Sequence, residues 1–223
     1  VSYEDITLTA GDAEVTVQPG NGGRVGGLRV GGVELLRQGA KFGCFPMVPW
    51  CGRIRDGQFR DGGTVRQMPL NAPPNAIHGT ARSGAWRTAR KDSTEAVITY
   101  DLVEPWPHPG RVTQIAALTE DSLTLSMAVE AHDSSFPAQI GWHPWFHRNL
   151  GTGDDVRVDF APVWQEERGD NHLPTGRRIE PKPGPWDDCF GMPDGVDVTL
   201  TWPGQLELKV TSREEWVVVY DEQ

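Results

Sequence analysis

Glycine and proline decide the fold class of this chain. Its 223 residues include 26 glycines and 18 prolines, spread along the whole length rather than gathered into a linker. Proline removes a helix hydrogen bond and glycine lowers helix propensity, so each of them punctuates the chain. The apolar residues between them alternate with period two. Val198, Leu200 and Trp202 alternate up to a Pro203-Gly204 turn, and Leu206, Leu208 and Val210 alternate back. Residues 112–118 and 123–131 read as a hairpin around Thr119-Glu120-Asp121-Ser122. Residues 24–30 and 33–36 read as another around Gly31-Gly32, a two-residue turn that suits glycine. Residues 13–17, 96–103, 156–160, 163–166 and 216–220 read as further strands, and polar residues 169–184 as a loop. No amphipathic helix, fixed-period repeat or linker is visible. Many short strands with frequent turn signals predict an all-β sandwich or barrel, and at this length a single domain over residues 1–223.

Charge and cysteine content narrow the function classes. The net charge is -10, which disfavours nucleic acid, whose phosphates require clustered Lys and Arg. A neutral small molecule fits this balance better, although a single local Arg could hold one phosphate. No run approaches the ~20 apolar residues that cross a bilayer, and residues 1–5 carry no basic segment leading into an apolar core. Three cysteines (Cys44, Cys51 and Cys189) give an odd count without a CxxC pair. Free thiols in a reducing cytoplasm are the simplest reading, so the expected location is cytoplasmic.

The stretch Gly141-Trp142-His143-Pro144-Trp145-Phe146 sets one imidazole among two indoles and a phenyl ring. Pro144 stiffens the backbone and restricts His143 to an extended conformation. Extended residues alternate faces, so His143 and Trp145 should point one way and Trp142 and Phe146 the other. That pattern serves either an aromatic core or a sugar site with a proton donor beside a flat apolar wall. Other chemistries fare worse. No serine occupies a G-x-S-x-G elbow. The cysteines lie in apolar surroundings that raise thiol pKa. His143 and His147 have i, i+4 spacing, which converges on a helix, and Pro144 disfavours a helix there; His78 and Asp187 would be needed to complete a metal site. No glycine-rich loop enters a helix to cradle phosphate. His108, His132 and His147 read as loop or surface residues, and Trp50 and Trp186 as equally suited to core or ligand.

Four motifs in order carry a family resemblance. Pro49-Trp50-Cys51-Gly52-Arg53-Ile54-Arg55-Asp56-Gly57 resembles the Asn-Arg-Ile segment of aldose 1-epimerases (galactose mutarotases), and Ile77-His78-Gly79 their His-Gly motif. Gly141-Trp142-His143-Pro144-Trp145-Phe146 is similar to their His-Pro-Tyr-Phe motif, and Asp187-Asp188-Cys189-Phe190 to their Asp-x-x-Phe motif. The resemblance implies a large antiparallel β-sandwich that binds a small-molecule sugar, expected to be a free hexose. It implies interconversion of α and β anomers without metal or cofactor. His143 would be the general acid on the ring oxygen. Arg53 and His78 would hold sugar hydroxyls or the ring oxygen, and Asp187 would bind a hydroxyl.

The sequence departs from the family pattern twice. Gly52 stands where many members have Asn. The family's base is a glutamate just after the segment resembling residues 216–220; Glu222 is near in sequence but precedes the expected position. The expectation is therefore a chain lacking its C-terminal strand or strands, with the base beyond Gln223. Two alternatives stay open: a catalytically weak sugar-binding protein, and a hexose-6-phosphate 1-epimerase. The second would need a basic cluster from among Arg55, Arg60, Arg82 and Arg87, although scattered arginines are usually solvated surface.

Overall fold

Strands make up nearly every ordered element, as the glycine and proline spacing predicts. The structure, a computed structural model, describes residues 3–151 and 153–221. In chain order the strands are β1 (Ile6–Ala10), β2 (Ala13–Gln18), β3 (Arg24–Val30), β4 (Val33–Glu34), β5 (Cys44–Met47), β6 (Arg53–Ile54) and β7 (Gln58–Asp61). Next come β8 (Thr64–Gln67), β9 (Ala76–Ile77), β10 (Arg87–Lys91), β11 (Glu95–Leu102), β12 (Gly110–Leu118), β13 (Leu123–Ala131) and β14 (Gly141–Pro144). The last are β15 (Arg157–Asp159), β16 (Trp164–Arg168), β17 (Pro174–Ile179), β18 (Asp187–Gly191), β19 (Val196–Trp202), β20 (Leu206–Ser212) and β21 (Trp216–Tyr220). Helical structure among the described residues is limited to three-residue 3-10 turns. The chain divides into two compact units, Val1–His147 and Arg148–Gln223.

The first unit is an antiparallel sandwich. One sheet runs β1-β2-β3-β5-β14, with β4 pairing β3; the other runs β10-β11-β12-β13. Period-two alternation makes both inner faces: Ile6 and Leu8 on β1, Val15 and Val17 on β2, and Val112, Ala116 and Leu118 on β12 share one core. Full burial of each Val, Leu or Ile side chain contributes about 1.5–3 kcal/mol. Gln114 interrupts this apolar row at 1% exposure. Its amide is satisfied on both sides, donating to Gly23 O at 2.6 Å and accepting from Trp142 Nε1 at 2.9 Å. Both expected hairpins form. Leu118 pairs with Leu123, and Val30 with Val33 across Gly31 and Gly32, whose φ values of 56° and 80° are those of a primed turn.

The second unit holds a three-stranded sheet, β15-β19-β20, and a four-stranded sheet, β17-β16-β18-β21. The Val198–Val210 hairpin forms in the expected register, with Trp202 opposite Leu206. One expectation fails: residues 169–184 are not all loop, because β17 pairs with β16. Its side chains are almost all exposed, so no apolar alternation marks it. Backbone pairing and its flanking contacts define it instead. Arg177 donates to Glu167, and the Arg178 guanidinium lies 3.8 Å from the Trp164 ring centre.

Candidate active site

Two backbone connections bring His143 and His78 together. β14 pairs with β5 so that His143 lies opposite Phe45. Just past β5, Val48 bridges to Gly79, and the Val48 carbonyl accepts from the N–H groups of Thr80 and Ala81 at 3.1 and 3.3 Å. β5 therefore carries His143 along its edge and His78 at its end. Gly79 is required by this junction: its φ is +72°, and a Cβ would fall 2.0 Å from the Val48 carbonyl oxygen. His78 itself has φ 63°, a left-handed conformation that costs an L residue roughly 1–2 kcal/mol. Its N–H donates to the Gly52 carbonyl at 2.9 Å.

The alternation expected around His143 is present. Trp142 and Phe146 pack against the core. His143 and Trp145 share the other face, with ring centroids 5.1 Å apart and planes 19° from parallel. Phe45, buried at 4% exposure, stacks on His143 at 4.7 Å and 21°. The His143 imidazole thus belongs to a stack with Trp145 and Phe45. His78 meets it edge-on at 5.3 Å. The stretch is held from the other side as well: Trp145 N–H donates to Gly43 O, and Trp145 O accepts from Arg37 N–H.

Cations surround this aromatic stack. Arg37 lies 3.9 Å over the Phe42 ring, which packs edge-on to Trp145. Arg24 and Arg82 lie 5.7 and 5.4 Å from the Phe45 ring centre. β6 pairs with β9, setting Arg53 opposite Ile77 and so beside His78. Burial, followed by His143, Arg82 and Arg53, pushes the His78 imidazole down from 6.5 to about 3. His78 is therefore neutral near pH 7, and its buried Nδ1 has no hydrogen-bond partner among the described residues. A neutral imidazole has one donor and one acceptor nitrogen, and Nδ1 here is shielded from solvent.

Three of the four residues singled out in the sequence (His143, His78 and Arg53) gather in the first unit. Asp187 belongs to the second. It opens β18 opposite Tyr220, and its Oδ1 lies 2.9 Å from Arg168 Nη1. Glu222 and Gln223 lie outside the described residues. Of the other side chains, His108 departs from the surface reading, and Trp50 takes the core side of the two readings left open. His108 sits in a loop but is buried at 9% exposure, stacked on Phe136 at 5.2 Å with Nε2 3.2 Å from Asp61 Oδ2. Trp50 is core, packed with Trp106. Trp186 packs edge-on to Phe160 and Phe190.

Phe45 and Arg82 went unrecognised in the sequence as neighbours of the histidines. Phe45 sits in an irregular-looking segment broken by Gly43 and Pro46, and Arg82 looked like one of several scattered arginines. The short spacing from His78-Gly79 to Arg82 was the available signal.

The thiols are poor nucleophile candidates: burial raises Cys44 to about 12 and Cys51 and Cys189 to about 11. Among the described residues no three His, Cys, Asp or Glu side chains converge as a metal cluster.

Comparison with known proteins gives the family and the fold. The sequence pattern of the family described as aldose 1-epimerase matches residues 4–220. An uncharacterised Escherichia coli (strain K12) protein, YphB, is 30% identical over 169 residues, covering 72% of this chain and 57% of its own length. The chain thus spans little more than half of that relative. A galactose mutarotase-like protein from Lactobacillus casei superposes with a TM-score of 0.83 at 16% identity, over 97% of this chain and 82% of the other. A galactose mutarotase-like protein from Clostridium acetobutylicum gives 0.77 at 19% identity, over 90% and 74%. The fold is therefore that of the galactose mutarotase-like β-sandwich proteins. With a family pattern running from residue 4 to residue 220 and covering all four motifs, this chain belongs to the aldose 1-epimerase family.

Proposed function

We propose that this chain is part of an aldose 1-epimerase that interconverts the α and β anomers of an aldose, with His143 as general acid. The observation that carries the reading is the paired imidazoles: His143 stacked between Phe45 and Trp145, with a neutral His78 edge-on at 5.3 Å. Opening a hemiacetal requires a proton at the ring oxygen while the anomeric hydroxyl loses one. The bond from C1 to the ring oxygen breaks, the aldehyde rotates about C1–C2, and reclosure reverses both transfers.

The two imidazoles suit different tasks. His78, held neutral, can hydrogen-bond a hydroxyl without competing for the proton, which leaves proton delivery to His143. The aromatic faces of Phe45 and Trp145 fix the His143 ring plane, and a positioned acid contributes typically ~10²–10⁴ in rate. Arg53 and Asp187 are assigned hydroxyl contacts on the strength of the family resemblance. The base is assigned, on the same resemblance, to a glutamate following the segment that corresponds to β21.

Polarimetry of freshly dissolved α-glucose and α-galactose tests the reading. The protein with its full natural sequence should speed the approach to equilibrium, and His143→Asn should abolish most of that gain while sugar binding, followed by calorimetry, persists. Wild-type turnover in His143→Asn would refute the role of His143.

A further inference from the structure

We propose that Arg168 is a positioning residue for Asp187: tethered by His172, it occupies one oxygen of the Asp187 carboxylate and leaves the other to accept from a single sugar hydroxyl. This rests on the hydroxyl contact assigned to Asp187 above. It adds what holds that carboxylate and how many hydroxyls it reads.

Strand register makes the pair, entirely within the second unit. β16 and β18 pair with Trp164 opposite Gly191 and Gln165 opposite Phe190. Continued along both strands, that register sets Arg168 opposite Asp187, and Arg168 Nη1 lies 2.9 Å from Asp187 Oδ1. Alternation turns Glu167 to the other face of β16, where Thr175 and Arg177 engage its carboxylate. Glu167 therefore does not compete for Arg168. The pairing of β16 with β17 is irregular just here, shifting from Glu166 opposite Arg178 to Arg168 opposite Pro174. Irregularities of this kind commonly re-aim a side chain beside a site.

Arg168 is the anchored partner and Asp187 the presented one. The arginine side chain is 17% exposed and the aspartate side chain 45%. The second arm of the guanidinium, Nη2, lies 3.2 Å from His172 Nδ1. A guanidinium carries donors only, so Nδ1 is the acceptor at this contact. His172 is brought there by a closed turn: its φ is 61°, its N–H donates to Gly169 O at 2.9 Å, and Gly169 N–H donates to Leu173 O at 2.9 Å. A left-handed conformation is unusual for histidine, and strain of this kind gathers where it serves a site. A cross-strand ion pair that only stabilised the sheet would not need that tether. Held by both arms, the planar fork cannot swing, and it fixes the carboxylate in turn. Asp187 Oδ2 accepts no hydrogen bond among the described residues. An ionised carboxylate accepts on either oxygen. With Oδ1 taken by a cation, bridging two neighbouring hydroxyls through both oxygens is closed to it, and Oδ2 is left for one.

Calorimetric titration of the protein with its full natural sequence tests the proposal. The ligands are glucose, galactose and the monodeoxy analogues of whichever binds more tightly. The analogue whose loss of affinity disappears in Asp187→Asn identifies the hydroxyl that Asp187 reads; in wild type that loss should be about tenfold, as for a hydrogen bond to a charged group. Arg168→Gln should reduce it to about threefold or less, while the other analogues keep their own losses. His172→Gly, which suits the left-handed backbone, should act in the same direction and more weakly. An Arg168→Gln variant that keeps the full tenfold loss overturns the proposal, as does one weakened equally for every analogue, the result of a merely structural role. Two analogues restored by Asp187→Asn would overturn it as well, since the carboxylate would then read two hydroxyls. If Arg168→Gln does not fold, an unchanged loss in His172→Gly overturns the proposal instead. These outcomes leave the Asp187 contact standing. If Asp187→Asn restores no analogue, the contact itself is refuted and the proposal falls with it.

Discussion

Replacing His78 with Asn should flatten the dependence of stability on acid. The folded imidazole titrates at about 3 against an ordinary 6.5. Between those values the unfolded chain binds a proton at His78 and the folded chain does not. Stability is therefore full above pH 6.5, falls as pH drops from 6.5 to about 3, and changes no further from this group below that. Each pH unit in the window corresponds to about 1.4 kcal/mol. From pH 6.5 to pH 4.5 the ceiling is thus roughly 2.7 kcal/mol, and relaxation with water entry should reduce it to ~1–2 kcal/mol.

Asn is the right probe because it tolerates the left-handed backbone of position 78 and does not titrate. Urea unfolding followed by tryptophan fluorescence at pH 7 and pH 4.5, in wild type and His78→Asn, yields a four-way difference from which the carboxylates common to both cancel. The variant should lose ~1–2 kcal/mol less than wild type across that interval. Equal losses would mean that folded His78 protonates normally, and the division of labour between the two imidazoles would fall with it.

Two substitutions test how the site is held. Gly79→Ala must place a Cβ 2.0 Å from the Val48 carbonyl at a φ of +72°; thermal unfolding should show a loss of at least ~2 kcal/mol, combining left-handed strain with displacement of the Val48 bridge. Gln114→Leu removes the acceptor for Trp142 Nε1 and the donor to Gly23 O. Two buried polar groups left unpaired at ~1–3 kcal/mol each should lower the urea midpoint strongly, whereas an unchanged midpoint would show that the core reorganises around them.

The strands were legible where one face is buried. In β12 and β13 alternation and a polar turn coincide, and the expected hairpin matches the observed one to within a residue or two. β17 was illegible because nearly all its side chains face solvent, so the pairing that makes it a strand leaves no trace in its hydrophobic pattern. The orientation of the His143 stretch was legible by the same logic. Pro144 and the aromatic alternation fix which way His143 points, and the sequence carries both. What the sequence could not carry is the β5 register: only pairing with β14 sets Phe45 against His143, and only the Val48–Gly79 bridge brings His78 to that strand. Arg82 follows from that bridge, three residues past Gly79. His108 misled because a histidine in a proline-rich loop reads as exposed, while Phe136, distant in sequence, stacks on it and its Nε2 lies 3.2 Å from Asp61 Oδ2.

The glycine at position 52 links backbone geometry to ligand recognition. Its φ is +62°, and a Cβ there would meet nothing within 4 Å. Gly and Asn are the residue types that adopt this conformation most readily, so exchanging the Asn of many family members for Gly preserves the turn. The Gly52 carbonyl still accepts from His78 N–H, and the next residue, Arg53, still starts β6 opposite Ile77. The departure therefore removes one polar side chain beside His78 and leaves the arginine and the histidine where they are. If the site performs the proposed reaction, such a change would bear on hydroxyl recognition rather than on proton transfer. Restoring the amide by Gly52→Asn should accordingly alter KM among sugars more than kcat, with no loss of thermal stability; a fall in kcat at constant KM would show that the backbone, not the missing side chain, was the functional element.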